Sequence, residues 1–227
     1  MRPDKWGEVE PIRTPFDPID ISEPVRLLAK PNGEFFYRKG RPAHVEGEMW
    51  NLTRAPTARF PGPLFSNYWT GRLDGKWAGR VGIEKCVDFV SEMFRVTDSD
   101  FALLTPEVDL KAKNIRYPVL SYQGLHLDSG IPGLYWINFF SDPLASWLGV
   151  YGFPKELATS KELAGGGVLL KFNESPDNCR DIDVLQKQRA AIEWLGAEKF
   201  FDIRFPDRKL ETPDWDQIPF RSTEPVD

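Results

Sequence analysis

Two histidines and two cysteines are the entire stock of imidazole and thiol groups in this 227-residue chain, so imidazole and thiolate chemistry must pass through them. His44 opens the run His44-Val45-Glu46-Gly47-Glu48. On an extended strand side chains alternate, so His44, Glu46 and Glu48 would project to one side as a mixed nitrogen and oxygen donor set for a divalent metal. No neighbouring residue supplies an obvious further ligand, and the same alternation equally describes a solvated edge. His126 sits beside Asp128 in a Gly- and Ser-bounded loop, which suits a hydrogen-bonded pair better than a catalytic base. Cys86 falls within an apolar stripe, where a small packing residue is expected. There is no Gly-x-Ser-x-Gly elbow. Gly165-Gly166-Gly167 lacks a following Lys-Ser/Thr and precedes a strand pattern, so it reads as a turn or bulge rather than a phosphate loop. The carboxylate pairs Asp98/Asp100, Asp181/Asp183 and Asp214/Asp216 stand where turns and helix caps use Asp. No catalytic residue, no cofactor and no resident metal are expected, and the chain is read as a binding protein rather than an enzyme.

The elements that would carry these residues follow from periodicity. Ten prolines between Pro3 and Pro63 block long helices, so residues 1–63 are expected to form an extended Pro-rich N-terminal arm. Within it Pro31-Asn32-Gly33 predicts a hairpin turn between Val25–Ala29 and Glu34–Arg38. Leu64–Trp69 reads as a strand and Gly71, Gly75 and Gly79 as a loop. Ile83, Val87, Val90 and Phe94 recur at helical spacing and predict an amphipathic helix over 83–95. Phe101–Leu104, Glu107–Lys111 and Leu134–Phe140 read as strands. Ser141 or Asp142 as N-cap, Pro143 in the first turn and Gly149 at the end predict a short helix. Val168–Phe172 is a strand, and Ile182–Leu195 is a helix closed by Gly196, with Ile182, Leu185, Ile192 and Leu195 facing inward. Phe200–Phe205 is a last strand candidate. The expected fold is α+β: an antiparallel sheet with two long helices and one short helix packed mainly on one face, in a core domain over 64–207, followed by a tail over 208–227.

The net charge of −5 is uneven. Residues 1–80 hold 13 Lys/Arg against 10 Asp/Glu, and residues 81–227 hold 16 against 24. An acidic surface disfavours nucleic acid and anionic membranes as partners and attracts basic ones, besides aiding solubility. No apolar run approaches the ~20 residues of a membrane span, and the first residues lack the apolar stretch of a secretory signal, so a cytoplasmic location is expected. Phe65, Tyr68, Trp69, Tyr135, Trp136, Phe139, Phe140, Phe200 and Phe201 lie on predicted strands. Most must be core; any left exposed could anchor a protein or stack on a sugar ring.

The stretches IPGLYWINFFSDPLASWLG (131–149), GGGVLLKFNESP (165–176) and WLGAEKFFDIRFPD (194–207) resemble the C-terminal half of bacterial polymorphic-toxin immunity proteins, with immunity protein family fifty-two and its relatives nearest in pattern. The upstream NYWTGR (67–72) and the helix over 83–95 fit its opening strand and helix. The resemblance implies a small cytoplasmic protein that binds a cognate toxin and occludes its active site, without catalysis or cofactor. The acidic balance suits a basic toxin. Trp77, Asp128 and Tyr151, placed in loops, are the candidate contact residues. The alternatives are a metal-dependent enzyme using His44, Glu46 and Glu48, and a carbohydrate- or surface-binding module using exposed aromatics.

Overall fold

The computed structural model describes residues 3–30, 33–40, 45–54, 64–113, 130–201 and 208–214, with backbone alone for 50–54, 64–68, 77 and 81. His44, His126 and Asp128 therefore lie outside the described residues or side chains, as does the side chain of Trp77. The chain divides into two units, Met1–Cys86 and Val87–Asp227. The fold is α+β, with all strand pairing inside each sheet antiparallel.

In the first unit, β1 (Lys5–Gly7), β2 (Thr14–Pro15), β3 (Gly33–Lys39), β4 (Val45–Arg54) and β5 (Leu64–Leu73) form one five-stranded sheet in the order β2-β1-β3-β4-β5. The helices α1 (Ser22–Leu28) and α2 (Gly75–Val81) complete it. The segment expected as an arm is thus part of a folded unit whose boundary falls at 86/87, not 63/64. The described prolines explain the misreading. Pro11 and Pro18 lie in connections, Pro15 ends a two-residue edge strand, and Pro24 sits in the first turn of α1, all places where a missing N–H costs little. Val25–Leu28 is helix rather than a hairpin strand, and the strands that pair with β3 are β1 and β4. Gly71 continues β5, and Gly75 and Gly79 lie in α2 rather than in a loop.

Alternation gives this sheet one apolar face. Phe35, Tyr37 and Val45 are buried there, with Trp6, Phe16, Leu28, Met49, Trp69 and Leu73 packed around them. Tyr37 lies opposite Gly47, which lies opposite Gly71. The bare glycine backbones let the tyrosine cross the sheet and donate to Thr70 O at 2.8 Å. Burial pushes the Tyr37 phenol above its ordinary value.

The opposite face carries Glu34, Arg38, Glu46, Glu48 and Arg72 by the same register. Burial first, then the charges of Glu48 and Glu8, push the Glu34 carboxyl up to about 7. A raised folded-state value means that the contribution of Glu34 is intact below the ordinary carboxylate range and is lost as pH rises through about 7. Glu34→Gln is therefore expected to raise stability at pH 8 by on the order of 1 kcal/mol, discounted because the group is partly exposed, and to change little at pH 4. Urea denaturation at the two pH values measures this; equal effects at both would contradict it.

In the second unit, β6 (Phe101–Leu104), β7 (Ile137–Phe140), β8 (Thr159–Glu162) and β9 (Val168–Lys171) form a four-stranded sheet ordered β6-β7-β9-β8. The helices α3 (Ile83–Val96, which carries the boundary), α4 (Glu107–Lys113), α5 (Asp142–Leu148) and α6 (Ile182–Leu195) accompany it. Ser141 caps α5 by accepting from Leu144 N, Pro143 stands in its first turn, and Gly149 ends it at φ 78°. Phe139 and Phe140 are consecutive strand residues and so face opposite ways. Phe140 joins the cluster that contains Leu144 and Leu148 of α5 and Val184, Ala191 and Leu195 of α6. Phe139 meets Phe94 of α3, with ring centroids 5.8 Å apart. Helices consequently cover both faces of this sheet, which corrects the expectation of one face.

Three further readings change. Glu107–Lys113 is helix, not strand: Glu107 pairs with Lys111 and Asp109 with Lys113, both at the i,i+4 spacing that a helix brings together. The buried stripe of α6 is Val184, Gln188, Ala191 and Leu195, so Ile182 is exposed rather than inward. The expected strand over Phe200–Phe205 is seen only as a parallel bridge between Ile131 and Phe200, and residues 202–207 lie outside the described ones. Among the described residues no helix is long and apolar enough to cross a membrane.

Candidate functional site

Of the three residues singled out for partner contact, Tyr151 alone has a described side chain. It stands on the second unit, and Trp77 belongs to α2 of the first. Glu46 and Glu48 do share one face of the first sheet, as alternation requires, but His44 is outside the described residues. Among the described residues no three His, Cys, Asp or Glu side chains gather where a metal could be held. Cys86 and Cys179 are buried free thiols, and burial pushes both above their ordinary values, toward the unreactive protonated form.

The strongest polar constellation escaped the sequence reading. Asp109 of α4 is 0% exposed. Its Oδ2 accepts from Thr105 Oγ1 at 2.8 Å and from Lys113 Nζ at 3.0 Å. Its Oδ1 lies 2.8 Å from the same Nζ yet forms no aligned hydrogen bond, so the ammonium charge alone offsets its burial. Lys113 Nζ also donates to Leu134 O at 3.0 Å and to Gln188 Oε1 of α6 at 2.8 Å, and lies 5.3 Å from the centre of the Tyr135 ring. Burial pushes the Lys113 amine down, against the opposing pull of Asp109. All three ammonium protons are taken up by protein acceptors, so the cluster ties α4, the 134–138 segment and α6 together and leaves no lysine proton for a substrate. The signal available in the sequence was the doubled acid-to-base spacing of EVDLKAK.

A second constellation is exposed. Trp194, near the end of α6, keeps 46% of its surface in solvent while its ring packs edge-on against buried Phe153, with centroids 5.2 Å apart. Tyr151, two residues before Phe153, is 42% exposed. Its hydroxyl donates to Asp142 Oδ1 in the first turn of α5, and this bond, before burial, raises the phenol above its ordinary value. Glu162 and the Gly167 amide act on the same hydroxyl, which places Tyr151 beside the β8–β9 turn. Trp147 of α5 lies under Lys199, whose Nζ donates to Trp147 O at 3.1 Å and stands 5.0 Å from the ring centre.

No family model, curated protein or solved structure matches this chain. The two exposed aromatics are of the residue types that dominate protein interfaces, and each is held by a defined contact, which lowers the entropy lost on binding. Exposed carboxylates Asp142, Glu156, Glu162 and Glu193 stand in the same segments. The second unit as a whole has 15 Lys/Arg against 23 Asp/Glu, a balance of −8.

Proposed function

We propose that this chain is a non-catalytic immunity protein that binds a basic cognate toxin in the bacterial cytoplasm and occludes its active site. The carrying observation is the pair of preorganised, half-exposed aromatics, Tyr151 and Trp194, on a unit of charge −8. Rigid aromatic anchors supply affinity, and the acidic field speeds encounter with a basic surface. The residue pattern of 131–149, 165–176 and 194–207 supports the reading, as does a buried lysine with every donor engaged by the fold.

Co-expression with the protein encoded by the adjacent gene, followed by an assay of that protein's toxic activity, tests this. Stoichiometric binding with loss of toxicity is expected, and a tight complex that leaves the toxin active would end the proposal. Trp194→Ala should weaken the complex by about 2 kcal/mol, roughly 30-fold, mostly through faster dissociation. Calorimetric titration of wild type and variant reads the difference, and unchanged affinity would move the interface elsewhere.

A further inference from the structure

The edge strand β8 is unusual in this unit because all four of its residues, Thr159 to Glu162, are exposed, so no described helix covers either of its faces. It is held by β9 on one side and by the turn that joins them. Leu163 N donates to Gly167 O at 3.0 Å, closing the hairpin. In an antiparallel pair, bonded positions alternate, so Thr159 and Lys161 exchange hydrogen bonds with Lys171 and Leu169. The N–H and C=O groups of Ser160 and Glu162 then point away from the sheet, and no described part of the chain takes them. Asp142, Glu156 and Glu162 flank this edge with Lys155 and Lys161, and Tyr151 stands at the turn.

We propose that the free edge of β8 receives an extended basic segment of the bound protein as an added strand, with Ser160 and Glu162 making the main-chain hydrogen bonds. The inference rests on the binding role argued above and specifies its geometry. Strand addition satisfies main-chain groups in pairs, while side chains on alternate sides of the edge confer selectivity. A basic occupant is favoured over a second copy of this chain because two units of −8 repel, and the charged pair Lys161-Glu162 is of the kind that keeps edges from pairing with themselves.

The test uses the full chain and three acetylated octapeptides: alternating Lys–Val, alternating Glu–Val, and Lys–Val N-methylated at every second residue. The first should shift the Ser160 and Glu162 amide resonances and slow their exchange; the other two should not. Ser160→Pro removes an outward N–H without breaking the β8–β9 ladder, and should weaken Lys–Val binding by about tenfold or more. Glu162→Pro serves as the second variant, with circular dichroism to check that each is folded. Shifts confined to the Trp194 region, concentration-dependent self-association through the same amides without peptide, or full binding by both proline variants would overturn the proposal. Failure here is separable from failure of the function: a toxin still neutralised by Ser160→Pro removes the edge and keeps the binding role. A peptide that adds to β8 while no toxin is neutralised does the reverse.

Discussion

Asp109→Ala is expected to destabilise the second unit by about 3–5 kcal/mol, because it leaves the Lys113 ammonium buried beside carbonyl oxygens with no counter-charge. The partners identify the cause. Lys113→Met should cost a comparable amount by stranding Asp109, whereas the double variant should lose less than the sum of the two. Recovery will be partial, since Leu134 O and Gln188 Oε1 lose their donor in the double variant. The loss also has a pH signature. Burial already holds the folded-state Lys113 amine below its ordinary value, and without Asp109 it falls further. The unfolded chain then binds the proton more tightly than the folded one, so stability recovers as pH rises from neutral toward the ordinary lysine range. Urea denaturation of the four proteins at pH 7 and pH 9.5 measures both effects. Additive losses, or a loss that grows with pH, would show that the pair is not a coupled buried unit.

Gly167→Ala should cost roughly 2–5 kcal/mol, combining backbone strain with overpacking. Gly167 has φ +92°, where side chains are disfavoured, and an added Cβ would collide with Phe140 O. Gly165 separates the two contributions. Its φ is +91°, but the nearest atom to an added Cβ is a flexible arginine carbon, Arg95 Cγ, at 4.0 Å. Gly165→Ala should accordingly cost only the strain, about 1–2 kcal/mol. Thermal denaturation ranks the two variants, and equal losses would mean that the collision at Gly167 is relieved by a small backbone shift. Because β8 is anchored by β9 and this turn, Gly167→Ala should also speed exchange of the Thr159 and Lys161 amides, which bond β9, before the rest of the unit.

The triple glycine shows what local sequence can specify. Its place before a strand excluded a phosphate loop, and the three residues form a turn with φ of +91°, +94° and +92°. Ser141, Pro143 and Gly149 fixed a short helix, and Ile182–Leu195 was bounded by an apolar period and Gly196, because caps and turns depend on residues a few positions apart. The aromatic stretch before Ser141 likewise announced a core strand, which covers only Ile137–Phe140 of the expected Leu134–Phe140, and Phe139 and Phe140 are fully buried.

Tertiary structure decided the rest. The prolines before residue 64 block long helices and point to an extended arm, yet pairing across distant strands placed the described ones where no ladder bond is needed. The exposure of Trp194 and Ile182 and the buried stripe through Gln188 depend on the rotation of α6, which puts Val184, Ala191 and Leu195 in the core and Gln188 against Lys113, 75 positions away. For the candidate interface, Tyr151 could be singled out from its loop, whereas Trp194 could not, since exposure of an aromatic on an amphipathic helix is fixed only when the opposite face finds its partners. The sequence by itself determined the helices over 83–95, 142–148 and 182–195, the acidic balance and the scarcity of imidazole and thiol, all of which follow from local spacing and composition. Which polar groups are buried, which aromatics remain in solvent and which strand edge stays open were decided by long-range packing, because each depends on what the chain brings against it.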